Sequence, residues 1–169
     1  MNLPLDFFLL IPCYNDVEGL RRSLMSVVYD RSRYGILIVD DGSDTPVRID
    51  SLGLLLPEAS YVVRQNSNKG ITEALNRGLG WLKKRTDYRF VARLDCGDVC
   101  SPERFIRQVD YLTRHPGVDL LGTWVRFENF ETGFNYAYRT PEKREQIIKG
   151  MHFRNLFIHP SVMWRATVL

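Results

Sequence analysis

Two kinds of hydrophobic pattern alternate along the chain. Short, uninterrupted apolar runs are typical of strands that are buried on both faces, and they predict strands at 6–11, 35–39, 61–64, 90–94 and 118–125. Between these runs, apolar residues recur every three or four positions, which is typical of amphipathic helices. Strands that alternate with helices predict an α/β fold whose mostly parallel sheet has helices on both faces.

The helical spacing occurs three times, each time after a predicted strand. The residues expected to face the core are Leu20, Leu24, Val27 and Val28, then Ala74, Leu75, Leu79 and Leu82, then Phe105, Val109 and Leu112. After Phe127 the pattern becomes aromatic and hairpin-like. A helix is expected from Thr140-Pro141-Glu142 to about Lys149, and a last short strand at 161–164.

Composition narrows the class of protein. A chain of 169 residues with 44% hydrophobic and 25% charged residues predicts one domain, 1–169, with a sizeable core. The 23 basic and 20 acidic residues are interspersed, which predicts no nucleic acid partner. Three cysteines without a paired framework favour a reducing, cytoplasmic compartment. No leader or membrane span is predicted, although peripheral association with the inner face of a membrane stays open.

Acidic turns follow two of the predicted strands, Asp40-Asp41 after one and Asp95 with Asp98 after another. Because the carboxyl ends of parallel strands meet at one edge of a sheet, we expect these carboxylates to converge. Together they could hold Mg²⁺ or Mn²⁺ and accept hydrogen bonds from a ribose or a base, which suits a nucleoside diphosphate. Each aspartate alone is as well explained by a turn or a helix cap.

Several short motifs occur in one order: Ile-Pro-Cys-Tyr-Asn at 11–15, Val-Asp-Asp-Gly-Ser at 39–43, Asn-Lys-Gly at 68–70, Ala-Leu-Asn-Arg-Gly at 74–78, Leu-Asp-Cys-Gly-Asp at 94–98, and Pro-Gly-Val-Asp-Leu-Leu-Gly at 116–122. In order and spacing they resemble glycosyltransferase family 2, from about residue 8 to 164. The resemblance implies a GT-A (Rossmann-like) fold. It also implies inverting transfer of a sugar from a nucleoside diphosphate sugar, usually a UDP-sugar, to a saccharide or lipid-linked acceptor, as in bacterial polysaccharide biosynthesis.

The same resemblance implies donor-binding roles for Pro12, Tyr14, Asp41, Lys69, Asn76, Arg77 and Asp95. Tyr14 would stack on the base, and core packing is its alternative role. Asp41 would accept the N–H of uracil, while Asp40 would fix the turn. Lys69 and Arg77 would offset phosphate charge, with solvated surface charge as the alternative. For Asn76 the residues alone suggest no role.

The acidic segment 95–98 departs from the family pattern, in which the third position supplies the metal ligand directly. Here that position is Gly97, which has no side chain. Three alternatives remain: Asp98 binds the metal instead, Asp95 and Asp98 act through waters, or the metal is dispensable. Asp98 is the first choice, since Mg²⁺ keeps several waters in most phosphate sites. A zinc site built from Cys96, Cys100 and His115 lacks a second cysteine pair.

The resemblance places His159 near the donor or the acceptor, with an ordinary loop role as the alternative. It also implies a catalytic base in an acidic segment that follows the His-Pro-Ser stretch. No acidic residue follows His159, so we expect the base to lie beyond Leu169 and this chain to be truncated. If the chain is active as it stands, Glu128 or Glu131 becomes the substitute base.

Two other functions compete with this one. A sugar-phosphate nucleotidyltransferase would also use an α/β sheet and paired carboxylates, but such enzymes need a glycine-rich basic loop after the first strand, where this chain has Pro12-Cys13-Tyr14-Asn15. A non-catalytic nucleotide-sugar-binding or scaffold domain is the second alternative, favoured by Gly97 and by the early end of the chain.

Overall fold

The computed structural model describes residues 4–129 and 131–169. The strands are β1 Leu5–Cys13, β2 Tyr34–Asp40, β3 Ser60–Arg64, β4 Tyr88–Arg93, β5 Leu120–Leu121, β6 Val125–Glu128, β7 Asn135–Tyr138 and β8 Met163–Arg165. The helices are α1 Val17–Met25, α2 Ile71–Leu82, α3 Arg104–Arg114 and α4 Arg144–Met151. In the part of the chain described here, no helix has the length and apolar character needed to cross a membrane.

Six strands form one central sheet in the order β3-β2-β1-β4-β8-β5. The strands β1 to β4 are parallel to one another, whereas β8 runs antiparallel between β4 and β5. The strands β6 and β7 form a separate antiparallel hairpin, as the aromatic pattern predicted. The predicted α/β fold with a mostly parallel sheet is confirmed.

Both faces of β1 are buried because helices cover the sheet on both sides. Phe7 and Leu9 pack on one face with residues of α1 and α3, while Phe8 and Leu10 pack on the other face with residues of α2. Successive residues of a strand point to opposite faces, so a continuous apolar run is what a doubly covered strand requires. The loops that follow β1 to β4 carry the exposed residues at this end of the sheet.

The strand β1 extends one residue beyond Pro12, where the sequence predicted its end. The Cys13 carbonyl accepts a hydrogen bond from the Asp41 N–H on the β2 side, so the backbone of Pro12 faces the β4 side. Pairing with β4 has already ended at Leu10, so the missing N–H of proline costs no hydrogen bond of the ladder.

Four other predicted boundaries were wrong. The run 118–125 contains only the two-residue β5 and the first residue of β6, because both backbone groups of Thr123 bond to the Ser161 hydroxyl instead of to a strand. The Ser161 N–H bonds back to the Ile158 carbonyl, so Ser161 belongs to a 3-10 turn and β8 begins at Met163. The helix α1 ends at Met25, before Val27 and Val28, where the Ser26 N–H bonds back to the last turn. The helix α4 begins at Arg144, and none of its residues is buried.

Candidate functional site

Four loops meet at the carboxyl ends of β1 to β4, and we call them the loop rim: residues 14–16, 41–44, 65–70 and 94–98. Cys13, the last residue of β1, contacts two of the neighbouring segments. Its carbonyl oxygen lies 2.9 Å from the Asp41 nitrogen, and its Sγ lies 3.7 Å from the Sγ of Cys96. The Cys96 thiol also lies 3.1 Å from the Asp16 carbonyl oxygen. The first, second and fourth loops are therefore in direct contact.

Tyr14 is presented to solvent by a constrained turn. Its side chain is 45% exposed. The next residue, Asn15, has a φ of 50°, a left-handed conformation that asparagine tolerates better than most residues. The Asn15 N–H donates to the Ser43 hydroxyl over 3.0 Å, and its side chain exchanges hydrogen bonds of 2.8 and 3.0 Å with Asp44. The first loop is thus fastened to the second with the Tyr14 ring free.

Asp40 is fully buried and holds the turn after β2. Its carboxylate accepts hydrogen bonds from the N–H groups of Ser43 at 2.9 Å and Val47 at 3.1 Å, and from the Arg64 guanidinium at 2.5 Å. Burial alone would raise the pKa of Asp40, but the hydrogen bonds to its charged form outweigh burial and lower the pKa. Asp40 therefore has the turn-fixing role that was predicted for it.

Asp41 joins the second loop to the third. One carboxylate oxygen accepts from the Gln65 side chain at 2.6 Å and from the Lys69 N–H at 3.0 Å, and the other accepts from the Gly70 N–H at 2.9 Å. Only 4% of the residue is exposed. A carboxylate has about four acceptor positions, so one position is left for a further donor.

A small cationic cleft of about 110 Å³ lies beside the third loop, lined by Arg64, Gln65, Asn66, Lys69 and Arg77. Arg64 is paired with Asp40. Lys69 and Arg77 are exposed, and no carboxylate among residues 4–129 and 131–169 forms an ion pair with either. The cleft therefore has two cationic groups available for an anionic ligand. Asn76 is exposed on α2, next to Arg77.

The two aspartates of the fourth loop differ in their surroundings. Both oxygens of Asp95 face the Arg93 guanidinium, at 2.8 and 3.0 Å. Asp98 lies at the exposed edge of the loop. Partial loss of water around its carboxyl group raises the pKa of Asp98, the charge of Asp95 adds to this, and Arg104 and Arg93 partly offset it. The Asp98 carboxylate is thus more available to a ligand than the Asp95 carboxylate, which Arg93 holds.

The fourth loop can supply one free carboxylate to a divalent cation. Gly97 has no side chain and therefore provides only backbone there, with a φ of 95°. The described residues contain no group of three or more metal-ligating side chains. Because Mg²⁺ commonly uses one or two carboxylates together with phosphate oxygens and water, Asp98 still fits such a cation. Cys100 and His115 lie at opposite ends of α3 and do not form one site.

The segment that contains His159 reaches the same end of the sheet. It leads into β8, and the Val162 carbonyl accepts from the Arg93 N–H at the end of β4. His159 is exposed and contacts the Asn155 side chain through its Nε2 atom. The buried Arg104 donates to the Arg93 carbonyl at 2.7 Å, so its guanidinium supports the start of the fourth loop.

Comparison with known proteins identifies the family of this chain. Residues 8–166 match the family described as glycosyl transferase family 2. The chain is 36% identical over 104 residues to the amylovoran biosynthesis glycosyltransferase AmsE of Erwinia amylovora, covering 62% of this chain and 37% of that protein. It is 30% identical over 159 residues to a glycosyltransferase of Haemophilus influenzae, covering 90% of this chain and 57% of the relative. The chain belongs to glycosyl transferase family 2.

The fold of this family 2 domain is also that of solved glycosyltransferase structures. S. aureus TarS 1-349 in complex with UDP-GlcNAc superposes with a TM-score of 0.69 at 18% identity, over 98% of this chain and 46% of that one. The family 2 domain therefore has the GT-A fold. It spans 37% and 57% of the length of the two relatives named above.

Sequence reasoning missed several residues that build the rim of this family 2 domain. Asn15 was quoted only within a motif, although its N–H and side chain fasten the first loop to Ser43 and Asp44. Asp16 caps α1 by accepting from the Gly19 N–H at 2.7 Å. Gln65 and Arg93 were not singled out, although each holds one of the predicted aspartates. Their polar side chains at the ends of β3 and β4 were the available signal. The predicted Pro12 is buried within β1 and lies beside the rim rather than in it.

Proposed function

We propose that this domain binds a nucleoside diphosphate sugar, in the first place a UDP-sugar, and transfers the sugar with inversion to a saccharide or lipid-linked acceptor. The observation that supports this most is the direct linkage of the four rim loops, since it brings an exposed aromatic ring, an acceptor carboxylate, a cationic cleft and a free carboxylate to one edge. A base, a ribose and two phosphates need this combination of groups.

The nucleoside end of the donor is assigned to the first two loops. The Tyr14 ring is available for stacking on the base, which contributes about 1–3 kcal/mol per base in proteins. The remaining acceptor position of Asp41 suits a base N–H. Because uracil has such an N–H at its third position and cytosine does not, Asp41 favours uracil.

The diphosphate end is assigned to the third and fourth loops. Lys69 and Arg77 offset phosphate charge, and Asn76, Asp95 and His159 are candidates for contacts with the donor or acceptor. Asp98 would hold Mg²⁺ or Mn²⁺. Asp95 would become a second ligand only if its ion pair with Arg93 were broken. Such a cation neutralises charge that develops on the departing diphosphate.

Inversion also requires a carboxylate that takes the proton of the acceptor hydroxyl. Glu128 and Glu131 are exposed residues of the β6–β7 hairpin region and are the candidates within the described residues. Replacing each by glutamine tests the assignment. We expect neither change to abolish transfer if the base lies elsewhere in the protein.

With a lipid-linked acceptor, the domain would work at the inner face of a membrane, in the cytoplasm.

Calorimetric titration with UDP, GDP, dTDP and CDP, with and without Mn²⁺, tests the donor assignment. We expect the wild-type protein to prefer UDP, and Asp41→Ala to lose discrimination between UDP and CDP. Asp110→Ala is the matched control, because Asp110 is an exposed aspartate of α3 whose partner is Arg114. Equal heats for all four nucleotides in the wild type, or unchanged selectivity in Asp41→Ala, contradict the base assignment.

Gly97 favours one second candidate, a domain that binds nucleotide sugar without transferring it. The position has no side chain, and Asp95 is held by Arg93. Release of UDP from UDP-sugar in the presence of saccharide acceptors separates the two. Binding without any UDP release supports the non-catalytic candidate, and sugar transfer excludes it.

A further inference from the structure

Two cysteines from distant parts of the chain touch at the loop rim. Cys13 ends β1 and Cys96 lies in the fourth loop, 83 positions later, and their Sγ atoms are 3.7 Å apart. Both thiols are free. Cys13 is 2% exposed, whereas Cys96 is partly exposed and gives solvent access to the pair. Neither side chain is assigned a contact with the nucleotide sugar in the function proposed above.

We propose that Cys13 and Cys96 are a site of oxidative modification that forms an intramolecular disulfide with hydrogen peroxide or a small-molecule disulfide, and that this bond weakens nucleotide binding at the rim. The second half of the proposal rests on the proposed function. The first half depends only on the geometry of the two cysteines.

The geometry favours this pair over any pair with Cys100. The two sulfur atoms must approach from 3.7 Å to the disulfide bond length of about 2.05 Å. Rotation of the two side chains can supply this movement. They extend from the ends of neighbouring parallel strands, β1 and β4. The sulfur of Cys100 instead accepts a hydrogen bond from the buried Arg104 at 3.4 Å.

The reaction balances with the named oxidants. With peroxide, the two S–H bonds and the O–O bond break, the S–S bond forms, two electrons pass from the sulfur atoms to the peroxide oxygens, and the two protons leave in two water molecules. With a small disulfide, the same two electrons reduce it to two thiols. Thiols of the protein regenerate when a dithiol such as dithiothreitol reduces the bond.

The bond would act on two rim segments at once. Tyr14 directly follows Cys13, and Asp95 directly precedes Cys96. Closing the S–S bond removes the contact of the Cys96 thiol with the Asp16 carbonyl oxygen, which lies at the cap of α1. The first and fourth loops would be joined at a shorter separation than in the reduced protein. A base and a diphosphate that need both loops would then fit less well.

Peptide mapping tests the covalent half. The full chain is treated with hydrogen peroxide, the remaining thiols are blocked with iodoacetamide, and tryptic peptides are analysed by mass spectrometry. We expect wild type and Cys100→Ser to yield a peptide that links Cys13 to Cys96 and disappears with dithiothreitol, and Cys96→Ser to yield none. Linkage through Cys100, or three blocked thiols in oxidised wild type, overturns the proposal.

Calorimetry with UDP on the same samples tests the functional half. We expect oxidised wild type to lose UDP affinity and to regain it with dithiothreitol, while peroxide-treated Cys96→Ser keeps its affinity. Linkage with unchanged UDP affinity overturns the effect on the rim. If the reduced protein gives no UDP heat at all, the proposed function fails. Disulfide formation between Cys13 and Cys96 is then still tested by the peptide mapping alone.

Discussion

Replacing Asp40 by alanine is the most informative change to the framework of the rim. Asp40 is fully buried at the end of β2, and its carboxylate holds two backbone N–H groups and one guanidinium. Ser43 and Val47, which donate the N–H groups, are themselves buried. Alanine would leave these donors without an acceptor and would leave Arg64 without its carboxylate.

The size of the effect follows from these contacts. A buried N–H without a partner costs about 1–3 kcal/mol, so two of them cost roughly 2–6 kcal/mol. Removal of one partner of a buried ion pair typically costs about 3–5 kcal/mol, which agrees. Arg64 is partly exposed and can turn to water, so we take the cost of the two N–H groups, roughly 2–6 kcal/mol, as the expected loss. For a chain of this length that lowers Tm by roughly 4–24 °C.

Urea unfolding followed by circular dichroism measures the loss directly. Asp110→Ala is the control, because it removes an exposed pair within one helix that is worth about 0.3–0.5 kcal/mol. A loss below about 1 kcal/mol for Asp40→Ala, within the range of exposed ion pairs, would refute the turn-fixing role. We also expect Asp40→Ala to weaken UDP binding, since the adjacent Asp41 depends on this turn.

Three further predictions follow from individual contacts. Asp40 has a lowered pKa, so its stabilisation is fully present above its unfolded pKa of about 3.9 and is lost as the pH falls through its folded pKa. The difference in unfolding free energy between wild type and Asp40→Ala should therefore shrink in acid, and a constant difference contradicts the assignment. Tyr14→Ala should weaken UDP binding by about 1–3 kcal/mol while Tyr14→Phe keeps it; equal losses in calorimetry exclude stacking. Arg165→Ala should cost about 2–4 kcal/mol in urea unfolding, because its guanidinium donates to the carbonyls of Val118, Leu112 and His115; a neutral change would contradict that.

Much of the fold was predictable because the strands of the parallel core have a strong pattern. The runs around Phe7–Leu10 and Ile36–Val39 are apolar at every position, and only a doubly covered strand buries all of them. The antiparallel part was less predictable. The strand β5 is cut short by the Ser161 hydroxyl, a contact between residues 38 positions apart that no local pattern shows.

The site was predictable at the level of which loops converge, since the acidic residues follow strands whose carboxyl ends share one edge. What each carboxylate contacts was not predictable. Asp95 is held by Arg93 and Asp41 by Gln65, and both contacts depend on the direction of side chains at strand ends. The roles of the donor-site residues stay predictions that the experiments above test.

The central claim is that the four rim loops form one nucleotide site. Amide hydrogen exchange with and without UDP and Mn²⁺ tests it most directly. We expect the ligand to slow exchange in residues 14–16, 41–44, 65–70 and 94–98 together, and to leave unchanged a separate cleft that is lined by residues such as Leu24, Tyr34 and Leu55. Slowed exchange at that cleft, with the rim loops unaffected, would contradict the account.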